Sequence, residues 1–179
     1  MNIRRKYSVQ VNAFTLLELI LIMIILCTVL AIVSPSLRGF FTSRQLTDIT
    51  EQILAMTRYA KVQAVFESRY YRVNFDPQKR LYWISSLRES QYERLDNNFG
   101  NLHSIPKEID IIFDDVLYDH GVYYFEFDPE GYSKEASVRL RDKQNTTREI
   151  ICYSPAENYE VVDVINGKRR FQEDKEEQR

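Results

Sequence analysis

Cysteine, histidine, glycine and proline are all in short supply in this chain of 179 residues, and each shortage removes a class of function. There are two cysteines. Cys27 sits inside an apolar run and Cys152 far beyond it, so they do not meet as an intrachain disulfide and the chain is no disulfide scaffold. The two histidines, His103 and His120, have neither a two-histidine ligand spacing nor a cysteine cluster beside them, which leaves no zinc-type centre. Asp114, Asp115 and Asp119 precede His120, but they lack the Asp-rich, Gly-containing spacing of a calcium loop and read as solvated acids. With five glycines there is no Walker loop and no dinucleotide fingerprint, and no Ser-His-Asp order is present. We therefore expect no enzyme, no small-molecule substrate, no metal and no cofactor.

Charge of one sign is also lacking. Lys and Arg number 24 against 26 Asp and Glu, a net charge of -2, which gives no overall push toward nucleic acid or an anionic membrane. The one dense basic cluster outside the N-terminus is Lys168-Arg169-Arg170. Glu173, Asp174, Glu176 and Glu177 follow at once and cancel its field within a Debye length of about 10 Å, so nucleic acid is not expected as a partner. Tyr (12) and Phe (10) are plentiful, and their fit to pleated, half-buried surfaces predicts strands.

The N-terminus holds the longest apolar run. Residues 14–33 carry one charge, Glu18. Twenty helical residues rising about 1.5 Å each span roughly 30 Å, the thickness of a bilayer core. Arg4, Arg5 and Lys6 precede the run and no acid occurs before Glu18, so the positive-inside rule puts the N-terminus in the cytoplasm and residues beyond about 40 on the far side. A cleaved secretory signal has a shorter apolar region and a small-x-small site; here the run ends in Val33-Ser34-Pro35. An uncleaved signal anchor fits the length, but gives no use for a carboxylate that costs about 2.5–3.5 kcal/mol to insert.

Ala13-Phe14-Thr15-Leu16-Leu17-Glu18, after its short basic leader, resembles the class III prepilin signal of type IV pilins and type II secretion pseudopilins. The resemblance implies that a prepilin peptidase cuts between Ala13 and Phe14 and methylates the new Phe14 amine, leaving the apolar helix on the mature protein. The family usually has glycine where this chain has Ala13. Pro35 falls where the family commonly kinks its helix. Physically, a Phe14 amine and a Glu18 carboxylate four residues apart share a helix face. In an assembly the amine of one subunit meets the Glu18 of its neighbour, two charges each costly alone in low dielectric and tolerable as a pair. Such a pair sets axial register, as a lone polar residue does in a coiled coil. The alternative is that Glu18 stays wet near the headgroups.

Beyond Pro35 the helix continues, because Leu46, Ile49, Ile53, Met56 and Ala60 recur at spacings of three and four. Strand signals follow. Tyr71, Val73 and Phe75 alternate, Asp76-Pro77-Gln78-Lys79 makes a turn, and residues 81–84 resume as a hairpin. Residues 86–104 read as an exposed connection. Residues 109–113, 123–127, 138–140, 149–153 and 159–165 are further strands, and Asp128-Pro129-Glu130-Gly131 is a type I turn.

Arg58-Tyr59-Ala60-Lys61-Val62-Gln63-Ala64 and Phe125-Glu126-Phe127-Asp128-Pro129-Glu130-Gly131 are similar to the helix end and aromatic strand of the H-type minor pseudopilins of the general secretion pathway.

The expected fold is α+β and pilin-like, a long N-terminal helix whose first half spans the membrane, packed on one antiparallel sheet. The expected segments are a leader (1–13), a transmembrane and assembly helix (14–34), its amphipathic continuation (35–68), a β-rich domain (69–167) and a charged tail (168–179). The resemblance implies a minor pseudopilin of a type II secretion filament, or alternatively a type IV pilus minor pilin that binds DNA for uptake. It implies as partners the prepilin peptidase, other pilins or pseudopilins and the inner membrane, with the C-terminal domain in the periplasm.

Overall fold

The computed structural model describes residues 15–165 and 167–170, and of residues 32–42 the backbone alone. The chain divides into two compact units, residues 1–39 and 40–179. A single helix, α1 (Leu16–Glu67), supplies the described part of the first unit and opens the second.

In the first unit, the side chains described from residue 15 to residue 31 are all exposed, from Leu16 at 77% to Ile22 at 38% among the large ones. No helix among the described residues is long and apolar enough to cross a membrane. The described side chains stop at Ala31, short of the run's end at Val33.

In the second unit, the periodic stripe of α1 does what its spacing predicts. Leu46, Ile49, Ile53, Met56, Ala60 and Ala64 are buried in the core. Helical Thr50 and Thr57 are buried as well, each satisfying its hydroxyl on an earlier carbonyl, Leu46 at 2.6 Å and Leu54 at 2.8 Å.

Among the described residues eleven strands follow, in two antiparallel sheets rather than the one sheet expected. The first has β3 (Gln91–Arg94), β2 (Leu81–Arg88), β1 (Tyr71–Asp76), β7 (Val122–Phe127) and β6 (Leu117–Asp119) in that order, with β4 (His103–Ser104) beside β2. The second runs β11 (Lys168–Arg170), β10 (Glu160–Ile165), β9 (Thr147–Cys152), β8 (Ala136–Arg141) and β5 (Asp110–Asp114). The chain passes between sheets at Asp115, which takes φ 55 between β5 and β6. Alternation puts Tyr71, Val73 and Phe75 in the core, where Phe75 meets Phe113 and Phe125 at centroid distances of 5.9 and 5.3 Å. Tyr159 closes the same cluster against Phe125 at 4.3 Å.

Both expected turns form. Asp76 Oδ1 accepts from Lys79 N at 2.9 Å, and Asp128 O accepts from Gly131 N at 2.9 Å. The stretch expected as an exposed connection carries structure: β2 runs on to Arg88, β3 follows, and Asn97 caps a 3-10 turn at Asn98–Gly100. Its polar residues feed local hydrogen bonds, a role that period-two counting does not register. Asn97 Nδ2 donates to Tyr59 Oη at 2.9 Å, and Tyr59 stacks on Phe99 at 4.2 Å, so the turn is pinned to α1. Lys168–Arg170 also departs from the sequence reading. Placed there in the charged tail, it is the last strand of the second sheet.

Candidate functional site

Ala13 and Phe14, the expected cleavage junction and methylation site, lie outside the described residues. Pro35 lies within the bounds of α1, with its side chain outside those described. The nearest described site residue is Glu18, in the first turn of α1. Its backbone N–H donates to Thr15 Oγ1 at 3.2 Å. Thr15 therefore stands at the N-cap and Glu18 at the third helical position, with the N-cap half of a capping box formed. A carboxylate there also faces the positive end of the helix dipole. The sequence signal for this role is Thr15-Leu16-Leu17-Glu18 ahead of an apolar run.

From Leu19 to Ala31 the described side chains of this unit are exposed and mostly apolar. Thr28 hides its one polar group by donating to Ile24 O and Ile25 O at 3.0 and 2.8 Å.

His103 has a structural role. His103 Nδ1 accepts from Gln52 Nε2 at 2.9 Å and stacks on Tyr82 at 5.2 Å, while Tyr82 Oη donates to Gln52 Oε1 at 2.6 Å. That chain ties β2 and β4 to α1, and burial pushes the Tyr82 phenol up to about 12, so it stays a donor. His120 is exposed beside Asp119, and Asp114 is paired with Arg139 at 2.6 Å. No group of three metal-ligating side chains gathers among the described residues. Cys27 and Cys152 are both free thiols. Burial pushes the Cys152 thiol above its ordinary value, which keeps it protonated and a poor nucleophile.

Sequence reading missed two charged constructions, both assembled across strands. On the outer side of the second sheet, Glu149 is buried beneath Arg169, Arg139 and Ser137. On the first sheet, Arg72 lies between the rings of Tyr92 and Tyr124, 3.5 and 3.9 Å from their centroids, and bonds Glu126 at 2.7 Å. Tyr92 Oη donates to the same carboxylate at 2.8 Å. The first engages a member of the Lys168-Arg169-Arg170 cluster internally, which lowers its use for phosphate.

The structure is similar to the minor pseudopilin EpsH from the type 2 secretion system of Vibrio cholerae, with a TM-score of 0.55 at 10% identity over 69% of this chain and 99% of that one. The chain has a pilin-like fold. The type IV minor pilin FimU of Pseudomonas aeruginosa also matches, with a TM-score of 0.49 at 16% identity over 73% of this chain and 96% of that one. No protein-family model and no curated protein sequence matches the chain.

Proposed function

We propose that the chain is a minor pseudopilin, a structural subunit of a type II secretion filament, anchored in the inner membrane and trimmed by a prepilin peptidase. The observation that carries the reading is the start of α1, an apolar helix exposed on every side and opened by Thr15 and Glu18, in a chain whose fold is pilin-like. Burying that surface in lipid before assembly, and among other subunits' helices afterwards, removes a large hydrophobic penalty in both states. The leader Ala13-Phe14-Thr15-Leu16-Leu17-Glu18 supports cleavage after Ala13 and methylation of Phe14. Pro35 is the proposed bend between the lipid-spanning part, residues 14–34, and the part that carries the periplasmic domain. Partners are the peptidase, the membrane and other pilin-like subunits, and we assign no catalytic step.

DNA binding is not favoured, since Arg169 is held by Glu149 and the acids that follow the cluster screen the rest. N-terminal sequencing of the protein recovered from its host tests the assignment. A start at Phe14, bearing an N-methyl group, is the expected result. A start at Met1, or one beyond Val33, overturns it.

A further inference from the structure

We infer that the face of α1 turned away from the core between Ala55 and Phe66 receives the apolar start of α1 from a second copy, with Glu18 of that copy against Arg58. Ile53, Met56, Ala60 and Ala64 bury one side of this part of the helix. Ala55, Arg58, Val62, Val65 and Phe66 form the opposite side, and all are exposed, Val62 at 64% and Phe66 at 81%. Their spacings of three and four residues make a seam that a second helix can follow, each side chain filling a gap in the facing row. Apolar residues grouped on the side opposite a finished core add nothing to that core and mark an interaction surface.

Two unpartnered charges select the occupant. Arg58 is the one base of the seam, and among the described residues its guanidinium has no hydrogen bond and no ion pair. The nearby Lys61 is already engaged, donating to Ala156 O and Glu157 O at 2.9 Å each. Glu18 is the one acid of residues 15–31, and only its backbone N–H is bonded. A charge set in apolar surface is costly to cover alone, so whatever covers either face has to bring the opposite charge.

Spacing selects the register. With Glu18 beside Arg58 and the two helices parallel, Thr15 falls at Ala55, Ile22 at Val62, Ile25 at Val65 and Leu26 at Phe66, all with the same shift of forty residues. Small residues meet at one end, the acid meets the base, and three apolar side chains meet three others. Antiparallel about the same charge pair, Ile25 falls at Glu51 and Thr28 at Asp48, both exposed acids, so apolar surface would cover charge.

Parallel pairing has a consequence for assembly. Each copy offers one helix start and one receiving seam, so the contact is heterologous and repeats from copy to copy without reversing direction. The inference rests on the reading of the chain as a filament subunit whose α1 start is covered by other subunits' helices. It adds which surface does the covering and which charge meets Glu18.

The test uses the full chain with Cys27→Ser, so that only introduced thiols react; Cys152 is buried. Two differently tagged forms, one with Ile22→Cys and one with Val62→Cys, are co-produced in the host and oxidised in place with copper phenanthroline. A disulfide needs Cα atoms within about 7 Å, so its formation reads the register. The expected product is a dimer carrying both tags, with little dimer from either form alone and little from Ile25→Cys with Glu51→Cys, the antiparallel match. Adding Arg58→Glu to the second form should lower the yield several-fold, while Arg58→Lys should keep most of it. Arg58 is exposed, so thermal melts of both variants should match the parent. No mixed dimer above the single-form controls, an equal yield from Ile25→Cys with Glu51→Cys, or a yield indifferent to Arg58→Glu overturns the inference. If the mature N-terminus is still Phe14 in that case, the filament reading stands and this contact alone is lost.

Discussion

Arg169 grips Glu149 with two hydrogen bonds, Nε to Oε2 at 2.7 Å and Nη2 to Oε1 at 3.0 Å, and so fastens the last strand to the middle of its sheet. Glu149 is 1% exposed, and Ser137 Oγ donates to its Oε1 at 2.7 Å. Removing the grip with Arg169→Ala leaves a buried carboxylate with fewer donors. Such a loss costs about 1–3 kcal/mol. The expected outcome is a lower urea midpoint with an unchanged slope, while Lys168→Ala, which removes an exposed neighbour, stays within about 0.5 kcal/mol.

The same grip sets a pH dependence. Burial pushes the Glu149 carboxyl up, but the hydrogen bonds of Arg169 and Ser137 and the charges of Arg169 and Arg139 outweigh it and hold the group below the usual range. Asp76 is held low too, its burial outweighed by bonds to Lys79. A carboxyl lowered in the folded state contributes its stability above the unfolded value, about 4.3 for Glu, and loses it as pH falls through the folded value. Urea midpoints should hold from pH 7 to about 5 and fall below that. Glu149→Gln should remove part of the acid slope. An unchanged slope in that variant would contradict the assignment.

Glycine at two turns is required for different reasons. A Cβ on Gly100 would stand 1.9 Å from Leu95 O, a backbone atom that cannot rotate away. A Cβ on Gly131 would meet Val65 Cγ2 at 2.8 Å, a side chain that can shift, though φ +84 adds strain. Gly100→Ala is expected to lower the melting temperature more than Gly131→Ala, and the reverse order in a thermal melt would be a failure.

Two phenylalanines separate core from surface. Phe75 is fully buried among Phe113 and Phe125, and Phe75→Ala should cost about 3–5 kcal/mol. Phe66, on the last turns of α1, is 81% exposed, and Phe66→Ala should change the unfolding free energy by under about 0.5 kcal/mol.

Glu18 separates a local role from an assembly role. Glu18→Gln keeps a third-position side chain able to complete a capping box and removes only the charge. Glu18→Leu removes both and makes insertion into lipid easier. If Glu18 pairs with a neighbour's Phe14 amine, both variants leave that amine alone at a cost of about 3–5 kcal/mol. Both should then be made and cleaved, yet fail to co-purify with partner subunits. Normal recovery of Glu18→Gln would assign the residue to the cap.

Some of this was decided within a few residues of chain, and that part the sequence determined by itself. The stripe from Leu46 to Ala60, the alternation at Tyr71, Val73 and Phe75, and the turn from Asp128 to Gly131 each rest on spacing, because helix period, strand period and turn geometry are local. Tertiary structure decided what depends on partners distant in sequence. Nothing near Lys168-Arg169-Arg170 says that it pairs with Val164 and reaches Glu149, twenty residues back, so it passed for a tail. Nothing near Asp115 says that the strands on either side join different sheets, so one sheet was expected where two form. Strand order and buried ion pairs follow from which surfaces meet once the chain has collapsed, and neighbours in sequence carry little of that information.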